Sequence, residues 1–357
     1  MKNFINDIEI KNFKSIKHQK IDGCKRINVF IGYPNVGKSN ILEALSCASI
    51  FQFINAGFSE ISLKDLIRLE SYTDLFYEGN ISERVTVKLD SERISFKFYK
   101  PSETIYCDIS IGTIRKNVSD IVNLKFYKNL NITEDSLIEV KQSLSIINDK
   151  PNFIKNVLKY SFLERDLGET THLDNKASLL PYGQNLMHIL SGNPELRKTV
   201  SQLFEIYGLK LVLDKGSQSI KIMKENKDGT ILLLPYSLIA DTLQRLIFYQ
   251  TAIHSNNNSI LLFEEPEAHM FPPYISKFTG DIIYNKKNNN QYFITTHSPF
   301  VISDFLEDAK DDLSLYVVGY KNGETVIKRL TDEQLHEIYQ YGVDIFLNIE
   351  DYLRDDR

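Results

Sequence analysis

The chain has no tryptophan, only four methionines and only three cysteines in 357 residues. Cys24, Cys47 and Cys107 are odd in number and widely separated, so alone they build neither a disulfide framework nor a metal cluster. Reduced thiols are the expectation. No apolar run approaches the roughly 18 residues that a membrane-spanning helix needs. The opening stretch, Met1-Lys-Asn-Phe-Ile-Asn-Asp-Ile-Glu9, carries acids early and has no apolar core, which argues against a secretory leader. A cytoplasmic protein without a membrane partner is expected. Excess positive charge is also missing: 42 basic and 47 acidic side chains leave a net −5, so no global basic field advertises nucleic acid. Neither an internal repeat nor a sustained heptad array is visible. Secreted, membrane-spanning, collagenous and wholly disordered classes are thereby excluded.

What is present is an ordinary globular composition, 42% apolar and 25% charged, on a chain long enough for two domains or one domain with a large insertion. Residues 4–31 read as two strands around a polar turn, the second closing on Ile27-Asn-Val-Phe-Ile31 and a glycine-rich loop. Ile41, Leu42, Leu45 and Ala48 then follow at helical spacing. Residues 84–114 alternate with period two, as in an antiparallel meander. Helical periodicity returns from about 133 to 207, interrupted at Gly183 and at Gly192-Asn193-Pro194. A second α/β stretch begins near Leu209, with strands at Leu209–Leu213 and Ile220–Met223 and a helix at Thr242–Ser255. Ile260–Phe263, Tyr292–Thr296 and Ser314–Val318 are short apolar runs of the kind buried in parallel sheets. The expected division is an N-terminal lobe, 1–114, a helical insertion, 115–207, and a C-terminal lobe, 208–357. Acids outnumber bases 14 to 6 from Val301 onward, which reads as a solvated acidic face.

Three short motifs carry chemistry. Gly32-Tyr-Pro-Asn35-Val36-Gly37-Lys38-Ser39 fits the P-loop pattern, in which glycines let successive backbone N–H groups converge on phosphate oxygens. Lys38 would bridge the outer phosphates, the Ser39 hydroxyl would ligate Mg²⁺, and the helix starting there turns its positive end toward the same anion. Ile260-Leu-Leu-Phe-Glu264-Glu265 is an apolar strand ending in two acids, one placed to serve the metal and the next to polarise an attacking water. Thr296-His297-Ser298-Pro299 ends the following strand and offers a histidine to the γ-phosphate. Phe96, Phe98, Tyr99 and Tyr106 have faces that stack on bases, but sheet aromatics more often pack. The basic run Lys11, Lys14, Lys17, Lys20, Lys25 and Arg26 suits solvated strands and nucleotide approach as well as it suits DNA.

In this order the motifs resemble the ABC-class ATPase heads of the RecF, SMC and OLD type, and more narrowly the stand-alone bacterial ATPases encoded beside an effector. The resemblance also takes in Ile10-Lys-Asn-Phe-Lys14-Ser15, Asn28-Val-Phe-Ile-Gly32, Gly37-Lys-Ser-Asn40, Gly183-Gln-Asn185 and Leu234-Pro-Tyr-Ser-Leu-Ile-Ala-Asp-Thr-Leu-Gln-Arg245. Glu264-Glu-Pro-Glu-Ala-His269 completes it. It implies an α/β fold with a mixed P-loop sheet, an antiparallel lobe and a short helical insertion. It also implies a homo-oligomer, at least a dimer, closing on ATP and Mg²⁺. Carried over by position, Lys14, Gly32, Asn35, Val36, Gly37, Lys38, Ser39 and Asn40 hold nucleotide, and Ser39 and Glu264 hold the metal. Glu265 is the general base and His297 the switch histidine.

The chain departs from the family pattern in three places. Glu264 stands where Asp is usual, Ala240-Asp241-Thr242 replaces the Ser and Gly of the signature, and the loop between the lobes shows no clear glutamine: Gln52 comes early, and Asp74–Asn80 has none. Slow or partner-dependent hydrolysis is the expectation. The insertion lacks the coiled coil of SMC and break-repair proteins, and too little chain follows Val318 for a Toprim nuclease, so the resemblance points to a separately encoded effector, with phage defence as its setting. The alternative is a RecF-like repair ATPase that binds DNA; with this charge, DNA binding is expected to be weak.

Overall fold

The computed structural model describes residues 4–50, 62–102, 104–111, 121–126, 155–163, 178–342 and 344–354. Gln52 and most of residues 133–177, the first part of the helical stretch expected from about 133 to 207, lie outside these. Residues 4–31 form three strands, not two: β1 (Ile8–Phe13), β2 (Ile16–Ile21) and β3 (Ile27–Ile31). β1 and β2 pair as a hairpin whose turn carries Lys14 at φ 49°. β3 leaves that sheet, and all five of its residues are buried, as a central parallel strand requires. Helix α1 (Lys38–Ser46) follows the glycine-rich loop and buries Ile41, Leu42, Ala44 and Leu45. The meander is β4 (Val85–Leu89), β5 (Glu92–Tyr99) and β6 (Thr104–Ile111), and it continues into β7 (Ile121–Phe126). Phe96 and Phe98 are buried in it, so those two rings pack and do not stack on bases.

The next described segment corrects the helical expectation. Val157–Tyr160 is a strand, β8, with Val157, Leu158 and Tyr160 buried. A run of four apolar-rich residues has no periodicity that separates strand from helix, and the sheet edge decided it. Two helices then appear where periodicity placed them: α2 (Leu186–Gly192) and α3 (Pro194–Glu205). Asn193 caps α3 by accepting from Leu196 N–H, and Pro194 sits at the first turn, where no N–H is needed. β9 (Leu209–Asp214), β10 (Ser219–Glu225) and β11 (Ile231–Pro235) form an antiparallel sheet, followed by α4 (Asp241–Ser255). The remainder alternates: β12 (Ile260–Glu264), α5 (Pro272–Tyr284), β13 (Gln291–Thr295), α6 (Pro299–Asp308), β14 (Leu313–Lys321), β15 (Glu324–Arg329), α7 (Asp332–Tyr341) and α8 (Ile349–Leu353).

The central sheet runs β15-β14-β3-β13-β12-β8, parallel from β14 to β8 with β15 antiparallel at its edge. A second sheet, β2-β1-β4-β5-β6-β7, is antiparallel throughout. One apolar core joins α1, the inner face of the antiparallel sheet and Phe30, Leu262 and Phe293 of the central sheet. The other packs α2 to α7 against the opposite face, through Val29, Phe263, Phe248, Phe278 and Phe305. The C-terminal ends of β3, β12 and β13 therefore share one edge, and all three motifs emerge there. Among the described residues no helix is long and apolar enough to cross a membrane.

Candidate functional site

The loop from Gly32 to Gly37 links β3 to α1 and is held from two sides. Gly37 adopts φ 102°, and a Cβ there would fall 2.2 Å from Thr325 Oγ1 and 2.7 Å from Ser15 Oγ, so only glycine fits. A Cβ on Gly32 would meet the Val318 carbonyl oxygen at 2.2 Å. Thr325, on β15, donates to the Val36 carbonyl at 2.9 Å, and its hydroxyl lies 2.7 Å from Ser15 Oγ. Asn40 Nδ2 donates to Ser15 Oγ at 2.7 Å. Val36 is buried, whereas Asn35 is exposed in the left-handed region at φ 63°. No side chain caps α1, and no acid lies in its first turn, so its positive end is left for an anion. Ser39, half-buried, sits in that first turn.

Lys38 is buried, and its ammonium donates to the Gly32 and Tyr33 carbonyls at 2.9 and 2.8 Å. Burial lowers its pKa, while the carboxylates of Glu265 and Glu264 pull the other way. The charge is held within its own loop by two neutral carbonyls, partners that the oxygens of an anion can replace.

Glu264 is the last residue of β12, paired in register with Thr295 of β13. Glu265 follows at φ 43°, a left-handed conformation that costs a non-glycine residue roughly 1 kcal/mol or more. Its N–H donates to the Thr295 carbonyl at 3.0 Å, which fixes the bend. The bend turns its carboxylate toward His297, with Oε1 3.3 Å from Nε2. Burial and the Lys38 charge lower the His297 pKa, against the pull of Glu265, so the imidazole is neutral at pH 7. Glu267 holds the histidine from below. Its Oε1 accepts from Thr296 Oγ1 at 2.6 Å and from the His297 N–H at 3.1 Å. Buried there, it has a raised pKa. Loop, acids and histidine thus gather at one edge, where a bound anion would meet a lysine, a helix end, a solvent-facing carboxylate and a neutral imidazole.

Lys14 sits in the β1–β2 turn. Its ammonium pairs with Glu43, one turn beyond Ser39 on α1, and donates to the Arg68 carbonyl at 2.7 Å. Sequence reasoning missed Glu43, Arg68, Lys159, Glu267 and Thr325. Of these only Glu267 carried a local signal, as the third acid of Glu264-Glu-Pro-Glu267. In the degenerate signature, Ala240 precedes α4, Arg245 Nε donates to Asp241 at 2.7 Å, and the Thr242 hydroxyl donates to the His269 carbonyl at 2.6 Å.

Residues 27–303 match the model of the protein family described as "AAA domain, putative AbiEii toxin, Type IV TA system". An ATP/GTP phosphatase of Helicobacter pylori is 24% identical over 330 residues, 82% of this chain and 85% of that protein. The DNA replication and repair protein RecF of a Thermoanaerobacter species is 24% identical over 164 residues, 44% of this chain and 42% of RecF. Among solved structures, an SMC head bound to the C-winged helix domain of ScpA aligns with TM-score 0.53 at 16% identity, over 94% of this chain and 100% of that one. At such identity the last likeness shows the fold alone.

Proposed function

The chain belongs to the AAA-domain family matched over residues 27–303 and is an ABC-type ATPase head of the RecF and SMC kind, and from that premise we propose that it hydrolyses ATP as a molecular switch. The observation that carries the reading is the convergence of Lys38, Glu265 and His297 on one sheet edge, with Glu265 and His297 3.3 Å apart. The glycine-only cradle at Gly37 and the uncapped start of α1 suit a phosphate chain. Lys38 trades its two carbonyl partners for phosphate oxygens, and the loop from Gly32 to Asn40 supplies N–H groups around them. Ser39 and Glu264 would hold Mg²⁺, which when bound neutralises phosphate charge. Glu265 orients the attacking water and takes its proton. His297, neutral and steadied by Glu267 through its backbone N–H, donates to the outermost phosphate. Its orientation then reports whether that phosphate is present.

In this reading the head assembles with a second copy around ATP, each signature segment closing the partner's site, and the assembly state controls a separately encoded effector in antiviral defence. The AbiEii description of the family supports the defence setting. The test is phage challenge of cells that carry the chain with its neighbouring open reading frames, beside the Lys38→Ala variant. Protection lost in the variant is expected; equal protection overturns the switch.

The RecF relative supports a second reading, a repair ATPase on DNA. Charge weighs against it. The net is −5, and Lys11, Lys14, Lys25 and Arg26 of the basic N-terminal run each face a carboxylate already. Tight, salt-sensitive DNA binding would favour repair.

A further inference from the structure

Glu264 already has cations on both oxygens. Arg68 Nη2 donates to its Oε1 at 2.9 Å, and Lys159 Nζ, on β8, lies 3.8 Å from its Oε2. Arg68 reaches Glu264 while its Nε donates to Glu43 Oε1 at 2.6 Å. Glu43 is completely buried on α1, and its second oxygen holds Lys14. The result is a line of alternating charge: Lys14, Glu43, Arg68, Glu264, Lys159. It ties the β1–β2 turn, α1, the stretch between α1 and β4, β12 and β8 together beside the phosphate loop.

The members are not equally fixed. The Lys14 and Lys159 side chains are 13% and 12% exposed, whereas Arg68 is 65% exposed. A guanidinium keeps its charge at any accessible pH, so Arg68 leaves Glu264 only by moving. Its exposed side chain has the room to move. Glu43 keeps Lys14 when it goes, so no buried carboxylate is stranded.

We propose that Arg68 is a removable counter-ion of Glu264: it occupies the carboxylate in the nucleotide-free chain and must swing away before Glu264 can hold a divalent cation. This rests on the role given to Glu264 above. Arg68 lies in the stretch between α1 and β4, and its charge is what competes with a cation for Glu264. The chain therefore sets a metal threshold on its own switch, and Arg68 fixes the height of that threshold.

The test is a MgCl₂ titration of a fluorescent ATP analogue bound to the full chain, with parallel titrations in EDTA. Arg68→Ala should reach half-saturation at roughly tenfold lower Mg²⁺, the scale of one charge-assisted bond, with nucleotide affinity in EDTA unchanged. Arg68→Lys, which keeps a charge, should lie between Arg68→Ala and wild type. Combined with Glu264→Gln, Arg68→Ala should add nothing to the shift that Glu264→Gln causes alone. A higher Mg²⁺ requirement in Arg68→Ala, or weaker nucleotide binding in EDTA, would make the guanidinium a nucleotide contact and overturn the proposal. An unmoved midpoint in Arg68→Ala, with Glu264→Gln shifted, overturns this proposal alone. A Glu264→Gln midpoint equal to wild type overturns the metal reading of Glu264, and this proposal with it.

Discussion

The His297 imidazole stands 3.3 Å from the Glu265 carboxylate, the two carried by the ends of adjacent parallel strands. Its lowered pKa gives the pair a pH signature. At neutral pH the imidazole is uncharged, and Glu265 is free to receive a proton. As pH falls below the ordinary histidine value of 6.5, His297 takes up a proton, the contact becomes an ion pair, and the base is tied down. Turnover should therefore be flat from pH 7 to 8 and fall on the acid side, with its midpoint below 6.5. His297→Gln should be slower at pH 7 and lack that limb. Steady-state ATPase rates from pH 5 to 8 measure both, and an acid limb retained in His297→Gln would assign it to another group.

Lys38→Ala should lower ATP affinity by about a hundredfold, since charge-assisted bonds to phosphate are among the strongest a side chain makes. The variant removes an ammonium whose two present partners are backbone carbonyls of its own loop. Isothermal calorimetry checks the affinity, and circular dichroism checks that the fold is intact. Unchanged affinity would mean that residues 32–39 are not the nucleotide site.

The three motifs were legible because each is contiguous and each ends a strand of one parallel sheet, so reading the strands brought them to one edge. What escaped was long-range. Arg68 meets Glu43 across 25 positions and Glu264 across 196, and no periodicity in the sequence aims a guanidinium. Thr325 straps the phosphate loop from a β15 hairpin strand that the apolar runs did not announce, because β15 is an edge strand with mostly half-buried residues. β8, Val157–Tyr160, is too short to show a period of its own, so the helical pattern on either side hides it. The partner of Lys14 is equally hidden in the sequence: Glu43, buried on α1 and 29 positions away, holds its ammonium.

Stability should carry a separate pH dependence from Glu92, at the start of β5. Burial pushes its pKa from 4.5 up to about 7, although the Lys155 N–H donates to it at 3.1 Å. Between these two values the folded chain holds a proton that the unfolded chain has released, so stability falls as pH rises through the window. The loss is on the order of 2–3 kcal/mol by pH 8. Glu92→Gln keeps an acceptor for Lys155 and removes the titration. Urea unfolding at pH 5 and pH 8 should show the wild type losing stability relative to the variant; equal slopes in the two chains would refute the assignment.

Glu265→Gln should separate ATP binding from ATP turnover. The amide keeps the length and shape of the side chain, and its carbonyl still orients a water, but it cannot take a proton. Loss of such a base costs about 10²–10⁴-fold in rate. Lys38, Ser39 and Glu264 are untouched, so nucleotide should bind as in wild type. If assembly completes each site, bound ATP pulls the equilibrium toward the assembled form by mass action, and without hydrolysis that form persists. Glu264→Gln should differ, losing Mg²⁺-dependent binding along with turnover. Light scattering of both variants with ATP and MgCl₂, beside an ATPase assay, distinguishes the cases. Wild-type hydrolysis in Glu265→Gln would mean the base is misassigned. An inactive Glu265→Gln that stays monomeric with saturating ATP would refute ATP-driven assembly while leaving the base in place. If the nucleotide-free chain already has the mass of the assembly, ATP must instead act by closing a preformed oligomer, and small-angle scattering should then record a smaller radius of gyration on binding.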